Sequence, residues 1–517
     1  MKTSNSFFDN LFILDLANNH FGDIAHAKKV IDSFGQIIKK NKIKAAVKFQ
    51  FRDLDTFVHK TEINNKDNKY VQRFLSTKLS FEKFYDLKKY LDKNKILTAC
   101  TPFDEKSIDH IEKMKFDLLK IASVSSNEWS LIERSAKNNI PKLISTGGKT
   151  IEMIDKIVSF FSHNKQDFAL MHCMAIYPSP NDTLQLKVIS DLIKRYPDVK
   201  IGWSTHEDPN DLMPSTIAKS LGAKIFEKHI GINSKKYKLN NYSTNPSQFL
   251  KYLENLQLVE KSLGILPEKI IDKRETNTLS LLERGVYVKK DIKKNEKLNE
   301  KNIYFAFPKK KNQLSNNDFS LKSKEYIAFK NIKKDQSIQA SAIKVKQHKS
   351  LNLVTKYIHK VKAILNYAKI DLGNVFDLEI SHHYGVKNFP KFGCFLFNCI
   401  NRGYAKKIIV LFPNQKHPLH KHKLKEETFQ ILSGVLYSEL DGKEKILYPG
   451  DTQVVMPGVW HKFKTDKRGC IFEEVSSTHY NSDSIYQDSI INKLTREERK
   501  TFIKNWGTHE LTLDVKK

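Results

Sequence analysis

The sequence is short of cysteine, of long apolar runs and of acidic residues, and the first two shortages exclude whole classes of protein. Its five cysteines (Cys100, Cys173, Cys394, Cys399 and Cys470) are odd in number and scattered, so we expect reduced thiols and no disulfide framework. No apolar stretch approaches the roughly 20 residues of a membrane-spanning helix. The apolar stretch nearest the N-terminus contains Asp15 and lacks a basic lead-in, so we expect no signal peptide and a cytoplasmic location.

The shortage of acidic residues leaves 88 Lys and Arg against 58 Asp and Glu, a formal net charge of +30. The basic residues are mostly lysines, spread as pairs and triplets over every segment with little aromatic interleaving. A nucleic-acid-binding protein should gather such charge on one face or motif. We therefore expect no specific nucleic-acid partner, although weak binding to polyanions at low salt stays an alternative. Anionic small molecules would be drawn to such a surface.

Short apolar runs alternate with amphipathic, lysine-rich segments that are long enough for helices. Strand and helix signals in alternation predict parallel strands with right-handed crossovers, and eight such units are what a closed (β/α)8 TIM barrel needs. We predict this barrel over residues 1–266, with a closing helix over 247–263. The eight predicted strands are 11–17, 45–50, 96–100, 117–122, 142–146, 168–173, 200–204 and 224–229.

The remaining sequence predicts smaller, mainly β-rich parts. A short polar connector over 267–280 leads into a β-rich module over 281–346, in which a motif recurs around Ile292 and Ile332 and indicates pseudo-symmetry. The basic segment 347–370 has helical periodicity and predicts a linker helix. Residues 371–517 combine short strand signals with Gly and Pro punctuation, which predicts an all-β barrel or jelly roll.

His206 and His229 follow the seventh and eighth predicted strands. Neighbouring strands lie about 5 Å apart, so both imidazoles could share one divalent cation with an open coordination sphere. The alternative is two independent histidines, each satisfied by a local hydrogen bond. Their position on adjacent strands at the catalytic end of a barrel favours the metal.

Lys48 and Lys120 lie inside otherwise apolar predicted strands and need anionic partners there. Hydroxyl groups at other strand ends (Thr101, Ser123, Ser145 and Thr146), with the backbone amides of Gly147 and Gly148, would complete a cradle for phosphate or carboxylate. Alternatively, each lysine extends to solvent or pairs with a carboxylate. Because few acidic residues flank these strand ends, we expect a bound anion.

A third group of side chains lies in the C-terminal part. His420 and His422 alternate by two and hence share one strand face, and Glu427 and His461 follow on neighbouring predicted strands. Three histidines and one carboxylate suit Fe(II), Mn(II), Zn(II) or Ni(II). The alternative is a sugar-binding β-barrel whose ligand set no longer works.

Short motifs of the barrel segment occur in a recognisable order: NNHFGDIAHAKKVID (18–32), VKFQ (47–50), TPFD (101–104), LKIAS (119–123), ISTGG (144–148), MHCMAIYPSP (171–180), IGWSTH (201–206) and FEKHI (226–230). They resemble the sialic acid (N-acetylneuraminate) synthases and relatives that make legionaminic or pseudaminic acid. Residues 283–343 resemble the antifreeze-like (SAF) domain that helps cover the partner's active site in dimers of that family. Residues 378–490 resemble a cupin of the D-lyxose ketol-isomerase type.

The resemblance implies condensation of phosphoenolpyruvate with an open-chain N-acyl hexosamine or related aldose, with release of phosphate. It implies that His206 and His229 hold Mn(II) or Mg(II), that Asp15 occupies the position of a family glutamate, and that the protein is a homodimer. As a further hypothesis, the cupin isomerises or epimerises a sugar with a second metal at His420, His422, Glu427 and His461, and Glu473 or Glu474 is a candidate proton carrier. The positions implied to bind phosphoenolpyruvate are Lys48, Gln50, Thr101, Lys120, Ser123, Ser145, Tyr177 and Ser204.

The chain departs from the family at Ser125, Thr205, Leu239 and Phe307, where the family usually has polar or charged residues. The phosphoenolpyruvate and metal positions are largely kept, so the simplest hypothesis is a synthase acting on a different aldose. Alternatively, only the cupin works as a sugar isomerase or epimerase and the barrel is an inactive relic. A polyanion-binding scaffold is the third alternative.

Overall fold

The structure, a computed structural model, describes residues 6–264, 269–319, 324–347, 349–480 and 482–508. The chain divides into two compact units, Met1–Lys269 and Ile270–Lys517. Within the described residues, no helix combines the length and the apolar character needed to cross a membrane.

The first unit is a closed barrel of eight parallel strands in the order β1 to β8, with β8 paired to β1. This confirms the predicted (β/α)8 fold. The strands are β1 Leu11–Asp15, β2 Lys44–Phe51, β3 Leu97–Pro102, β4 Leu118–Ile121, β5 Lys142–Ser145, β6 Phe168–Cys173, β7 Lys200–Thr205 and β8 Ile225–His229. The helices are α1 Ile24–Asn41, α2 Leu54–Phe57, α3 Lys69–Ser76, α4 Phe81–Lys93, α5 Glu105–Lys113, α6 Trp129–Ser135, α7 Ile151–His163, α8 Val188–Arg195, α9 Met213–Ser220 and α10 Pro246–Leu263.

Helix α1 shows how the local sequence sets an element of the outer layer. Asp23 caps its N-terminus, because one carboxylate oxygen accepts from the backbone N–H groups of Ala25 and His26. The helix ends at Lys42, which adopts a left-handed conformation with φ of 51°. Apolar residues at spacings of three and four face the strands and are buried: Ala27, Val30, Ile31, Phe34 and Ile38.

The two-residue alternation of a strand decides which side chains enter the barrel. On β1, Ile13 belongs to the apolar cluster inside the barrel, so Asp15 enters the same interior at the carboxyl end of the strand. Asp15 pairs in register with Lys48 of β2 and with His229 of β8, and paired residues of parallel strands face the same side. The interior is therefore apolar at the bottom and polar at the mouth.

The second unit begins with α11 Lys273–Leu281, so part of the polar segment 267–280 forms a helix, and this helix has no buried residues. Asp272 caps the helix by accepting from the backbone N–H of Arg274 at 2.7 Å. Two two-stranded antiparallel sheets follow, β9 with β10 and β11 with β12, and Ile292 and Ile332 of the recurring motif exchange backbone hydrogen bonds of 2.8 and 2.9 Å. The elements are β9 Gly285–Val288, β10 Ile303–Ala306, α12 Asn316–Phe319, β11 Lys324–Ala328 and β12 Ile343–Gln347.

Helix α13, Lys349–Tyr367, packs onto the C-terminal sheet. Its residues Tyr357, Ile358 and Val361 are buried in one cluster with Phe389 and Phe397, so the segment predicted as a linker helix is part of a hydrophobic core. The rest is the predicted all-β fold, an antiparallel ten-stranded sheet. Its elements are β13 Asp377–Ser381, β14 Cys394–Asn401, β15 Tyr404–Leu411, β16 Lys416–His422, β17 Glu427–Leu440, β18 Lys443–Leu447, β19 Thr452–Val455, β20 His461–Ser477, β21 Ser484–Tyr486, α14 Ser489–Lys493, α15 Arg496–Arg499 and β22 Lys500–Ile503.

Candidate functional site

The mouth of the barrel contains a cavity of about 830 Å³. Most barrel residues that the sequence predicts for the site line it: Asp15, Lys48, Gln50, Thr101, Lys120, Ser123, Ser145, Tyr177, Ser204, His206 and His229. Thr146, Gly147 and Gly148 of the predicted cradle do not. The lining residues converge because each lies at the carboxyl end of a strand, or just past it, on the side that faces the interior. His172 lies one position out of this alternation, and its ring instead contacts the backbone oxygen of Leu184 at 2.9 Å.

Lys48 and Lys120 have carboxylate partners within the protein, which corrects the expectation that few acidic residues are near. The Lys48 ammonium lies 3.0 Å from Asp15 and 2.5 Å from Glu227, and the Lys120 ammonium donates to Glu227. Glu227 lies inside β8, within the motif FEKHI (226–230), and no pattern in the sequence assigns it a partner. Its side chain enters the barrel from β8 and reaches both lysines.

Burial and neighbouring charges have opposite effects on the pKa values of the lysines and of Glu227 in this cluster. Burial lowers the pKa of Lys48, but the charges of Asp15 and Glu227 outweigh it, so that this pKa lies above its ordinary value. For Lys120 the burial dominates and the pKa is lowered. Burial raises the pKa of Glu227, yet the charges of Lys120 and Lys48 outweigh it and the pKa is lowered. The group balances two cations with two carboxylates, so an incoming anion must be accompanied by positive charge or must exchange partners.

His206 and His229 lie with ring centroids 5.2 Å apart. His206 Nδ1 is 3.0 Å from the carbonyl oxygen of Met174, which only accepts, so Nδ1 carries the proton and Nε2 a lone pair. His229 Nδ1 faces Asp15 Oδ2 at 3.6 Å, which favours the same tautomer. Burial, followed by the nearby His229, lowers the pKa of His206 to about 3. Two neutral imidazoles with lone pairs on Nε2 fit a divalent cation.

The hydroxyl groups of the cavity differ in what they already bind. Ser123 Oγ accepts from the backbone N–H of Gly147 at 3.2 Å, so this amide is occupied and does not extend the predicted cradle. Thr101 Oγ1 is buried and has no hydrogen-bond partner among the described residues. A buried hydroxyl without a partner is costly, and a bound oxyanion would satisfy it.

Other residues of the cavity wall were not found from the sequence: Asn19, Arg52, Lys69, Arg73, Asn240 and Tyr242. Most belong to the segments after β2 and β8, which include α3 and several loop residues and where no strand periodicity predicts the direction of a side chain. Among the positions that depart from the family, Ser125 and Leu239 do not line the cavity. Thr205 lies beside Lys228 at 3.4 Å, and Phe307 is an exposed residue of the second unit.

The second candidate site is a cavity of about 40 Å³ inside the C-terminal sheet. His420, His422 and His461 offer ligand nitrogens that all lie within 4.8 Å of one another, and Glu427 lies 3.3 Å from His422 and 3.2 Å from His461. The register of β16 and β20 pairs His420 directly with His461. The structure thus brings the four predicted side chains together.

The donor set of this cavity fits a cation. The Nδ1 atoms of His420 and His461 lie 3.0 and 3.1 Å from the carbonyl oxygens of Pro418 and Val459, which leaves the lone pairs on Nε2. His461 Nε2 and Glu427 Oε2 are 3.2 Å apart, buried and without a hydrogen bond among the described residues. Two facing lone pairs repel each other unless a positive charge lies between them.

Of the two predicted proton carriers, the structure brings only Glu474 to this cavity. It lies 2.8 Å from Lys425 and 3.2 Å from Lys407, and Lys425 also donates to Glu427. Glu473 is on the opposite face of β20, where it pairs with Lys406 at 2.5 Å. The alternation of the strand separates the two neighbours.

The chain is thus a (β/α)8-barrel protein with ionisable groups gathered at the carboxyl ends of its strands, followed by an antiparallel β-domain with a histidine cluster. The NeuB family model matches residues 38–266 and the cupin domain model matches residues 407–471. An uncharacterized protein of Methanocaldococcus jannaschii is 32% identical over 292 residues, 56% of this chain and 82% of that protein. The chain belongs to the NeuB family.

Two further relatives match most of their own length. The N,N'-diacetyllegionaminic acid synthase of Campylobacter jejuni is 26% identical over 341 residues, which are 64% of this chain and 98% of that enzyme. A crystal structure of spore coat polysaccharide biosynthesis protein E from Chromobacterium violaceum is 38% identical with a TM-score of 0.62. That match covers 65% of this chain and 99% of the other.

Proposed function

We propose that the barrel condenses phosphoenolpyruvate with an open-chain aldose to give a 2-keto-3-deoxy sugar acid and phosphate. The observation that carries the proposal is the composition of one cavity: two lysines, a Thr101 hydroxyl that has no hydrogen-bond partner among the described residues, and two histidines whose Nε2 atoms carry lone pairs. Lysines and hydroxyls suit the phosphate and carboxylate of phosphoenolpyruvate. The relationship to a legionaminic acid synthase supports the same reaction class.

In this proposal the methylene carbon of phosphoenolpyruvate forms a bond to the aldehyde carbon of the sugar, the double bond of the aldehyde opens, and its oxygen takes up a proton from solvent to become a hydroxyl. Water adds to the central carbon, and the bond from that carbon to the phosphate oxygen breaks, which releases phosphate and leaves the keto acid. Lys48 and Lys120 bind the anionic reactant, with hydroxyl donors from Thr101, Ser123, Ser145 and Ser204. Asp15 holds Lys48 and Gln50 in place and accepts a proton from the attacking water. Holding both reactants in one cavity contributes through proximity.

The Nε2 atoms of His206 and His229 would hold Mn(II) or Mg(II), and such an ion would supply Lewis-acid polarisation of the sugar carbonyl. Met174 and Asp15 fix the tautomers that make this possible. The cation would also add positive charge to a group in which lysines and carboxylates already balance.

For the C-terminal cupin domain we propose a divalent metal at His420, His422, Glu427 and His461 and a sugar isomerase or epimerase activity, with Glu474 as the proton carrier. The facing lone pairs of His461 and Glu427 support the metal. A cavity of about 40 Å³ holds an ion and a few water molecules, so sugar binding requires that it open. The SAF assignment of residues 281–346, the boundaries at 347–370 and 371–517, the homodimer and the cytoplasmic location stay predictions.

The test is phosphate release from phosphoenolpyruvate by the purified full chain with Mn(II), over N-acylated hexosamines and plain aldoses. Sugar-dependent release that His206→Ala abolishes and His420→Ala preserves would support two separate sites. If none of these sugars leads to phosphate release from a folded and metal-loaded protein, the synthase proposal is overturned and the cupin is favoured as the working site.

A further inference from the structure

Arg52 follows β2 directly and extends its side chain along the wall of the barrel cavity. Aromatic rings hold the guanidinium in place, since its central carbon lies 3.7 Å from the ring centre of Phe103 and 4.1 Å from that of Phe74. The ring of Phe57 is 5.8 Å away. This cage fixes a long, flexible side chain in one position before any ligand binds.

The guanidinium of Arg52 has an incomplete set of partners. It has five N–H donors, and one of them donates to Gln50 Oε1 at 3.2 Å. Its Nε is buried and has no hydrogen-bond partner in the described part of the chain, and no carboxylate of that part lies within the 4.0 Å of an ion pair. Burial lowers its pKa to about 10, although Asp15 and Asp104 raise it, so the group stays charged at neutral pH. Lys48 and Lys120 of the same cavity, in contrast, are already paired with carboxylates.

Gln50 separates Arg52 from Lys48 and Lys120, which with their carboxylate partners form the lysine cluster. The Nε2 of Gln50 donates to Asp15 at 3.1 Å while its Oε1 accepts from Arg52. Beyond Arg52, the segment between β2 and α4 adds Lys69 and Arg73 to the cavity wall. Neither of these two forms an ion pair with any described residue. This part of the wall is therefore cationic and lies next to the lysine cluster without belonging to it.

We propose that Arg52 determines specificity for the acceptor sugar by binding an anionic group on it, a phosphate or a carboxylate, with Lys69 and Arg73 adding to the attraction. The inference rests on the proposed condensation and names the substrate class of the same cavity. A guanidinium binds either oxyanion through two parallel hydrogen bonds, and the aromatic cage limits the entropy lost on binding. A neutral aldose offers hydroxyl oxygens to the buried Nε–H of Arg52 but no charge to pair with the guanidinium, so it should bind less tightly than an anionic sugar.

The test compares N-acetylmannosamine, its 6-phosphate and N-acetylmannosaminuronic acid, together with mannose and mannose 6-phosphate, as acceptors at saturating phosphoenolpyruvate and Mn(II). We expect kcat/KM to be roughly 10- to 100-fold higher for an anionic sugar than for its neutral counterpart. Arg52→Gln should remove this preference and leave KM for phosphoenolpyruvate unchanged, while Arg52→Lys should keep part of it. Comparison of the 6-phosphate with the uronic acid shows whether Arg52 prefers a phosphate or a carboxylate.

Arg274→Gln is the matched control, because it removes the same charge from a side chain that is 91% exposed in the second unit. Equal kcat/KM for neutral and anionic sugars would overturn the proposal. A raised KM for phosphoenolpyruvate in Arg52→Gln, with the sugar preference kept, would overturn it as well, since the guanidinium would then serve the other reactant.

Calorimetric binding of the same sugars keeps this inference separate from the proposed reaction. If no sugar releases phosphate, an anionic sugar that binds the wild type at least about 10-fold more tightly than its neutral counterpart, and loses this advantage in Arg52→Gln alone, still supports the anion site. Absence of binding, or binding without this difference, overturns it. Arg52→Lys guards against misfolding, because it retains the charge inside the aromatic cage.

Discussion

Lys228 and Glu207 form a buried ion pair of 2.8 Å, with both side chains 2% exposed, behind the two histidines of the barrel site. Glu207 follows His206 in the chain, and Lys228 precedes His229. Lys228 points away from the barrel interior because its neighbours Glu227 and His229 point into it. The ion pair therefore ties the segment after β7 to β8 and helps to fix the separation of the two imidazoles.

Replacing Lys228 by Met should destabilise the barrel by about 3–5 kcal/mol, because Glu207 would stay buried without its cation. Denaturant unfolding of the full chain, followed at the transition of the first unit, measures this loss. Mn(II) affinity at the barrel should fall as well, since the histidines lose their common support. Mn(II) binding is a readout that a general loss of stability leaves unchanged below the unfolding transition.

The control for this prediction removes both charges. Lys228→Met combined with Glu207→Gln should recover most of the lost stability, because no unpaired charge remains. A single variant as stable as the wild type would show that the ion pair adds nothing to the stability of the barrel and would contradict this prediction.

Lys120→Met should weaken phosphoenolpyruvate binding by roughly 10- to 100-fold, because one charge-assisted contact to the anion is lost. Lys48 remains to pair with Glu227, so the barrel should stay folded. Calorimetric titration of phosphoenolpyruvate measures the change. Lys78→Met serves as the control, since Lys78 pairs with Asp55 on the surface, and it should bind like the wild type. Unchanged affinity in Lys120→Met would remove this lysine from the binding site.

Substitution of a histidine at one metal site should remove the metal of that site and leave the metal of the other site in place. His420→Ala should lose the metal of the cupin domain, because one of three converging imidazoles is gone, and keep the metal of the barrel. His206→Ala should do the reverse. Elemental analysis after dialysis against Mn(II) gives the number of ions per chain for each variant. Loss of both ions in either single variant would contradict two independent metal sites.

Much of the barrel and of its site could be predicted, because the same strand geometry determines both. Period-two alternation sets which side chains enter the barrel, and parallel pairing brings the strand ends together, so Asp15, Lys48 and His229 converge from distant parts of the chain. The four predicted ligands of the cupin domain converge for the same reason. His420 and His422 share one face of β16, and His420 pairs in register with His461 of β20.

Other features of the fold and of the site could not be predicted, because they depend on contacts between distant segments that no local sequence pattern encodes. The pairing of Glu227 with both lysines required the closure of the barrel between β8 and β1. Arg52 received no role because its cage comes from Phe74 and Phe103, which reach it from α3 and from the end of β3. Helix α13 has the basic pattern of an exposed connector, and only the sheet it packs on shows that its apolar face is part of a core.

The stability of the second unit should depend on pH through Glu379. This buried carboxylate contacts Lys500 at 2.7 Å and Arg496 at 2.9 Å. Burial raises its pKa, but these two cations outweigh it and bring the pKa to about 2, below the ordinary value of 4.5. A carboxyl group with a depressed pKa contributes stability above pH 4.5 and loses it as the pH falls toward 2, here on the order of 1–3 kcal/mol.

Calorimetric melting of the full chain between pH 3 and 7 tests this prediction against Glu379→Gln. The wild type should be the more stable of the two at pH 7, and the difference between their melting temperatures should shrink as the pH falls below about 4.5, because only the wild type loses a charge there. In the variant, Lys500 and Arg496 stay partly exposed, with side chains 13% and 30% accessible, so water can hydrate them. A difference that stays constant over the whole range would mean that Glu379 does not titrate with a depressed pKa, and that its contacts with the two cations stabilise the sheet through hydrogen bonding alone.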